Sequence, residues 1–181
     1  MSATGMLRED HHQIRRLEKI VDICQKRLYS GADVPLEDMR KITMIISDFV
    51  EAIHYSREED SYFACVAGYG TLHEEIRKFM IEHEFGRRIA RKIAEHLDLW
   101  DDTWSSKEPV ARFLRTYSIY LKDHLTKEDA FFDEAAESVL LPEEEQEMYE
   151  QFSSIMAISK RVEDISQEMD YLEGQPWYHY T

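Results

Sequence analysis

Only four prolines and six glycines interrupt a chain of 181 residues. Pro35, Pro109, Pro142 and Pro176, with Gly5, Gly31, Gly68, Gly70 and Gly174, stand at the edges of apolar-periodic segments; Gly86 alone lies inside one. Breaks this sparse, roughly 24 to 32 residues apart, favour long helices. No stretch alternates like a strand, so the expected class is all-α. The first helix is read from about Met6 to Ser30, closed by Gly31. The second runs from about Leu36 to Ala67, with Met39, Ile42, Ile46, Phe49, Val50 and Ile53 on one face. Thr71 and Glu74 read as a capping box for a third helix reaching about Leu99. The fourth spans about Glu108 to Ser138, with Ser105 or Ser106 as cap. Pro142 opens a fifth, its first turn carrying Glu143, Glu144 and Glu145, where the helix dipole favours acids. The architecture expected is an up-down antiparallel four-helix bundle (residues 1–138) with an additional C-terminal helix. Residues 139–181 form that acidic amphipathic helix and its tail, packing on the bundle or on a dimer partner.

Charge narrows the class of partner. The net charge is -15, and residues 133–181 hold 13 acids against 2 bases, whereas residues 1–132 are nearly balanced at 24 and 20. Such a surface repels nucleic acid and anionic membranes. No apolar run approaches the ~18 residues of a membrane span, and the first ten residues have neither the basic nor the apolar part of a signal peptide. Cys24 and Cys65 form no CxxC pair and are expected reduced. A cytoplasmic protein is expected.

The chemistry is concentrated in the histidines. His54 and Glu58, and again His124 and Glu128, form H-x-x-x-E, each continued by an acid and aromatics: Glu59, Asp60, Tyr62 and Phe63, then Asp129, Phe131 and Phe132. On a helix, residues four apart share a face, so an imidazole and a carboxylate at that spacing can serve one metal or two neighbouring ones. One helix before each motif stands another histidine beside an acid. Asp10-His11 lies 43 residues before His54, and Glu82-His83 lies 41 residues before His124. At about 1.5 Å per residue, His54, His83 and His124 lie roughly 18 to 21 Å from one end of the bundle, Glu58 and Glu128 roughly 14 to 15 Å, and His11 roughly 8 to 15 Å. Six ligands from four helices can therefore converge at one level.

These stretches, Asp10-His11-His12-Gln13-Ile14, His54 through Glu59, Glu82-His83-Glu84-Phe85-Gly86-Arg87 and His124 through Asp129, resemble the hemerythrin-like family of HHE cation-binding domains over about residues 6–138. The resemblance implies a non-heme di-iron centre, two iron ions with an oxo or hydroxo bridge, held by His11, His54, Glu58, His83, His124 and Glu128, with both glutamates bridging. It departs from the oxygen carriers in two respects. They add a histidine one turn from the third-helix ligand, where this chain has Phe79, Met80, Gly86 and Arg87 around His83. Their aspartate in the last motif is also replaced by a glutamate one residue earlier.

Two six-coordinate irons need twelve bonds. Four histidines, two bridging carboxylates and one bridging oxygen leave two positions, one on each iron. Glu51, three residues before His54, and Tyr120, four before His124, are candidates to close one. Gly86, on the face of His83, leaves room for a small ligand or for close helix packing. Tyr117 and Tyr120 read as core, with a hydrogen bond to a metal-bound group as the sharper role for either. His12, His73, His96 and His179 read as surface residues, and Phe49, Phe79, Phe113, Phe131, Phe132 and the cysteines as core.

A ferritin-like reading uses Glu9 with His12 and Glu51 with His54 as E-x-x-H pairs, but no matching pair stands on the third and fourth helices. Zinc suits six N/O ligands less well than iron. The function implied is binding of O2, NO or another small oxidant, for sensing or storage. The alternative is an oxidoreductase acting on peroxide or ferrous iron, and a purely structural metal is a third reading. The stripe Met148, Phe152, Ile155, Ile158, Val162, Ile165, Met169 and Leu172 makes the fifth helix amphipathic. It is expected to pack across the bundle, with a homodimer interface as its other use. The aromatic tail Trp177-Tyr178-His179-Tyr180 is expected to dock on the body or on a partner.

Overall fold

The computed structural model describes residues 2–179, and among them every regular element is helical. Helix α1 (Ala3–Tyr29) starts at Ser2, whose Oγ accepts the Gly5 amide 3.0 Å away. It ends in a Schellman turn: Gly31, at φ +78°, donates to the Leu28 carbonyl and Ala32 donates to that of Arg27. The second rod is α2 (Leu36–Ile45), two π-helical stretches (Ile46–Tyr55 and Glu58–Tyr62) and α3 (Phe63–Gly68). The wide turns were not visible in the sequence. They fall where His54 and Glu58 stand, and insertions of this kind are frequent at functional sites. Helices α4 (His73–Asp98) and α5 (Trp104–Ser138) complete the bundle.

Two helix starts differ from expectation. Before α4, Leu72 takes a left-handed conformation (φ 58°), and no side chain caps the helix, so the Thr71–Glu74 box does not form. Leu72 is packed against the apolar cluster beneath it, and that burial sets the entry instead. Helix α5 begins four residues before Glu108. Asp101 accepts from the Thr103 amide and hydroxyl, the Thr103 carbonyl receives the Lys107 amide, and Ser105 and Ser106 lie inside the first turn. Pro109 then sits in the second turn, where it removes a single helical donor.

The fifth helix is also corrected. It is broken into α6 (Pro142–Ser153) and α7 (Met156–Glu173), followed by the short α8 (Pro176–His179). Ile155 is extended, and it and Met156 are exposed at 52% and 85% although the stripe placed Ile155 inward. The break lets α6 and α7 lie on different parts of the bundle. Met148 and Phe152 of α6 join Leu7, Tyr62, Phe79, Phe131 and Phe132 in a lower apolar cluster, whereas Ile165, Met169 and Leu172 join an upper one with Ile14 to Leu28, Val34 to Tyr55, Ile89 to Leu97 and Val110 to Leu125. The tail docks on the body: Trp177 is buried, its indole N–H donates to Asp38 at 2.8 Å, and Arg27 donates to its carbonyl. Tyr180 lies outside the described residues.

The lower cluster unites the start of α1, the end of α3, the start of α4 and the end of α5, as an antiparallel up-down bundle requires. Phe49, Phe79, Phe131, Phe132 and Cys24 are core; Phe113 and Cys65 are half-buried. One buried acid fastens α6 to the bundle. Glu145 accepts the Thr4 amide, an unpaired donor of the first turn of α1, and the Thr4 hydroxyl, which also meets Tyr62 Oη at 2.6 Å. Glu145→Ala orphans these donors, and we expect a loss of about 2 to 3 kcal/mol in denaturant unfolding, against a change below about 0.5 kcal/mol for the exposed Glu143→Ala.

Candidate metal centre

Between the two apolar clusters lies a layer of six polar side chains, 0 to 1% exposed: His11 from α1, His54 and Glu58 from the second rod, His83 from α4, and His124 and Glu128 from α5. All six predicted ligands converge. Donor atoms of His11, His54, Glu58 and Glu128 lie within 4.8 Å of one another, and so do those of His83, His124 and Glu128. The imidazoles pair as His11–His54 and His83–His124, with centroids 5.0 and 4.9 Å apart. Each carboxylate faces both pairs. Glu58 is 3.5 Å from His54 Nε2 and 3.4 Å from His83 Nε2. Glu128 is 3.3 Å from His11 Nε2, 3.2 Å from His83 Nε2 and 3.1 Å from His124 Nε2.

A second layer orients the rings. His11 Nδ1 donates to Asp129 at 2.7 Å, His83 Nδ1 to Glu59 at 2.7 Å and His124 Nδ1 to Glu82 at 2.8 Å. An Nδ1–H committed outward leaves the Nε2 lone pair facing inward, the tautomer a metal needs. The fourth contact is looser: Asp10 lies 3.5 Å from His54 Nδ1, which has no hydrogen bond. Each acid is held in turn by a base. Arg57 grips Asp10 at 2.6 and 2.8 Å, Arg87 donates to Glu59 at 2.8 Å, Lys127 to Glu82 at 2.6 Å, and Arg15 to Asp129. Sequence reasoning noted the acids next to the ligands but not their partners. The signal was present: each acid adjoins a ligand of one helix and reaches the histidine of the next. The bases recur as well, Arg15 and Arg87 four residues after His11 and His83, Arg57 and Lys127 three after His54 and His124.

These contacts decide which way each group titrates. His54 is lowered to about 4, because burial, helped by the neighbouring His11, outweighs the upward pull of Asp10 and Glu128. For His124 burial works the same way, but the carboxylates of Glu128 and Glu82 overcome it and push the ring up to about 9. His11 is raised for the same reason, by Asp129 and Glu128 against burial. Glu58 is raised well above the carboxylate range by burial and by the charge of Glu128; Glu128 is held well below it, since three histidines outweigh its burial.

The donor set fits a cation. His11 Nε2, His54 Nε2, both oxygens of Glu58, His124 Nε2 and Glu128 Oε2 are buried without a hydrogen-bond partner. Unpaired buried groups of this kind are costly. A model of the hemerythrin HHE cation-binding domain matches residues 2–135. The chain belongs to the hemerythrin HHE family. No curated protein and no solved structure matches it. This HHE domain therefore has a family reason, as well as a geometric one, to bind a metal cation. No helix among the described residues is long and apolar enough to cross a membrane.

The remaining candidates lie around this layer. Glu51 is outside both donor groups; it is half-buried, and its carboxyl is raised by burial despite Arg87 and Arg91 nearby. Tyr120 stacks on His124 at 5.1 Å and shares a 2.8 Å hydrogen bond with Tyr55 Oη. Tyr117 is buried, and its hydroxyl has no partner. Beside Gly86 the space is filled by Tyr120: a Cβ there would meet Cε1 of its ring at 2.7 Å. His12, His73 and His179 are exposed, and His96 is half-buried on the Phe113 ring.

The histidine shifts make the metal-free protein sensitive to pH on both sides of 6.5. His124, raised in the fold, stabilises below its unfolded value, and that contribution is lost as pH climbs through about 9. His54, lowered in the fold, stabilises above 6.5, and its contribution is lost as pH falls toward about 4. Each limb amounts to about 3 kcal/mol. Glu58 and His11, also raised in the fold, add to the loss as pH rises, and Glu128, held low, adds to the loss in acid. Thermal melts of chelator-treated protein should fall toward both pH extremes, and His124→Gln should make the alkaline fall shallower and keep the acid one.

Proposed function

We propose that this chain holds a pair of iron ions through His11, His54, Glu58, His83, His124 and Glu128, and that it binds O2, NO or another small oxidant there for sensing or storage. The observation that supports this reading is the set of buried, unpartnered donors facing one another across two imidazole pairs. With neutral imidazoles, the carboxylates of Asp10, Glu58, Glu59, Glu82, Glu128 and Asp129 face only four cationic side chains, Arg15, Arg57, Arg87 and Lys127. The excess negative charge sits in the inner layer. Glu58 and Glu128, each within 3.5 Å of histidines from both pairs, suit two cations better than one. Mixed imidazole and carboxylate ligation in this number suits iron rather than tetrahedral zinc.

The iron pair, when bound, supplies reversible redox change and coordination positions for a small ligand. The protein's part is to fix the Nε2 tautomers through Asp129, Glu59 and Glu82, to hold the carboxylates between the histidine pairs, and to exclude bulk water with the apolar clusters above and below. A second reading, turnover of peroxide or ferrous iron, is favoured by the neighbours of His83. Phe79, Met80, Gly86 and Arg87 supply no further histidine to close a position.

Metal analysis of protein expressed with ample iron tests the proposal. Two irons per chain are expected, with near-ultraviolet charge-transfer bands. His54→Ala and His83→Ala should lose metal and bands, and His12→Ala should keep both. Zinc, or no metal, in the wild-type chain would overturn the assignment. Rapid peroxide turnover by the loaded protein would favour the second reading over storage or sensing.

A further inference from the structure

The two halves of the centre are related by the repeat that doubles the ligands, so residues at matching offsets can be compared. Tyr120, four residues before His124, corresponds to Val50, four before His54. Tyr55, one after His54, corresponds to Leu125, and Gly86, three after His83, corresponds to Ile14. Val50, Leu125 and Ile14 are all buried in the upper apolar cluster. The second copy carries Tyr120 and Gly86 where the first carries Val50 and Ile14, and the first carries Tyr55 where the second carries Leu125.

Both phenols lie on the same pair of imidazoles. Tyr55 stacks face to face on His83, with centroids 3.8 Å apart at 11°, and Tyr120 stacks on His124 at 5.1 Å and 22°. Their hydroxyls share one 2.8 Å hydrogen bond. Two O–H groups and one mutual bond leave one O–H with no acceptor among the described residues. Each of His11, His83 and His124 also meets a phenylalanine, Phe132, Phe63 and Phe79 in turn, and Tyr55 lies 5.9 Å from His54 as well. The arrangement of Tyr120 is also specifically accommodated. A Cβ at Gly86 would lie 2.7 to 2.9 Å from Cε1, Cζ and Oη of Tyr120, so even alanine there has to displace that side chain, although a glycine inside a helix costs roughly 1 kcal/mol.

Tyr120 lies between the centre and a surface groove of α4 and α5, which it lines with Phe85, Ile119, Lys127 and the acids Glu82 and Asp123. Phe85, half-exposed, stands edge-on to Tyr120 at 5.8 Å. Tyr117, whose buried hydroxyl has no partner, lies next to Tyr120, with centroids 5.9 Å apart.

We propose that Tyr55 and Tyr120 form a hydrogen-bonding subsite for a small anionic or peroxide-like ligand at the His83–His124 half of the centre, beside the α4–α5 groove. This subsite rests on the metal-pair reading above. The free phenol O–H donates to the ligand, and Gly86 is a positioning residue that gives the Tyr120 ring its place.

The test uses the full chain loaded with iron, azide as the probe, and metal content measured first on every variant. Tyr55→Phe and Tyr120→Phe should keep the wild-type iron content and bind azide about tenfold or more weakly, the loss of a hydrogen bond to a charged group. Gly86→Ala, which displaces Tyr120, should do the same. Ile14→Val, at the matching place in the other half, should change azide affinity by less than about twofold. The azide stretch in the vibrational spectrum should shift between H2O and D2O in the wild type and lose that shift in the phenol variant that removes the donor. Unchanged azide affinity in both iron-replete phenol variants would overturn the subsite, as would absence of azide binding to the iron-loaded wild type or a larger effect from Ile14→Val. A wild-type chain that takes up no iron is seen at the metal count, before azide is added, and overturns the underlying reading instead.

Discussion

Four imidazoles and two carboxylates buried at one level of a helical bundle form a cluster that the chain's own atoms leave uncompensated. Taking a carboxylate out of water costs several kcal/mol even after relaxation, and here two face each other among unpartnered nitrogens. The rest of the molecule is arranged around that expense. Apolar clusters above and below keep the layer dry, and at its rim Asp129, Glu59 and Glu82, each held by a base, fix three of the rings in the tautomer that points lone pairs inward. The second rod widens into π-turns where it supplies His54 and Glu58. The helical ladder yields there, and the side-chain geometry is kept.

Duplication accounts for the symmetry of this layer, and tertiary contact for its departures. Asp129 and Glu59 reach from one copy to the other, whereas Asp10 and Glu82 stay within their own, so the ring of histidine–acid contacts closes only when all four helices are packed. The Asp10–His54 contact is the weak link, at 3.5 Å. Asp10 is already gripped by both oxygens to Arg57, and at His54 burial outweighs the pull of that acid.

The charge that dominates the composition turns out to have three uses. Glu58 and Glu128 face the cluster interior, the rim acids pair with histidines and bases, and Glu145, in the first turn of α6, is buried and ties α6 to the first turn of α1. Much of the remaining excess lies exposed on α6 and α7. Arg16 of α1 reaches Asp170 and Glu173, and Arg161 of α7 reaches Asp48, so part of it also serves to lay α7 against the bundle.

The helical class, the four rods of the bundle and the convergence of His11, His54, Glu58, His83, His124 and Glu128 were legible in the sequence, because a 3.6-residue period and sparse glycine and proline act locally, and a repeated motif fixes depth along a helix axis. The break at Ile155 and the left-handed entry at Leu72 were not, because each answers to packing against residues far away in the chain; the early start of α5 rests on local hydrogen bonds of Asp101 and Thr103 that compete with Ser105 and Ser106 as caps. The same holds within the site. Sequence alone placed acids beside the ligands and Tyr120 on the face of His124. Only packing decided that each acid serves the neighbouring helix, that Glu51 lies outside the donor groups, and that the space beside Gly86 belongs to the Tyr120 ring. Spacing along one helix says which residues share a face; which face meets which is settled by the fit of all the helices together.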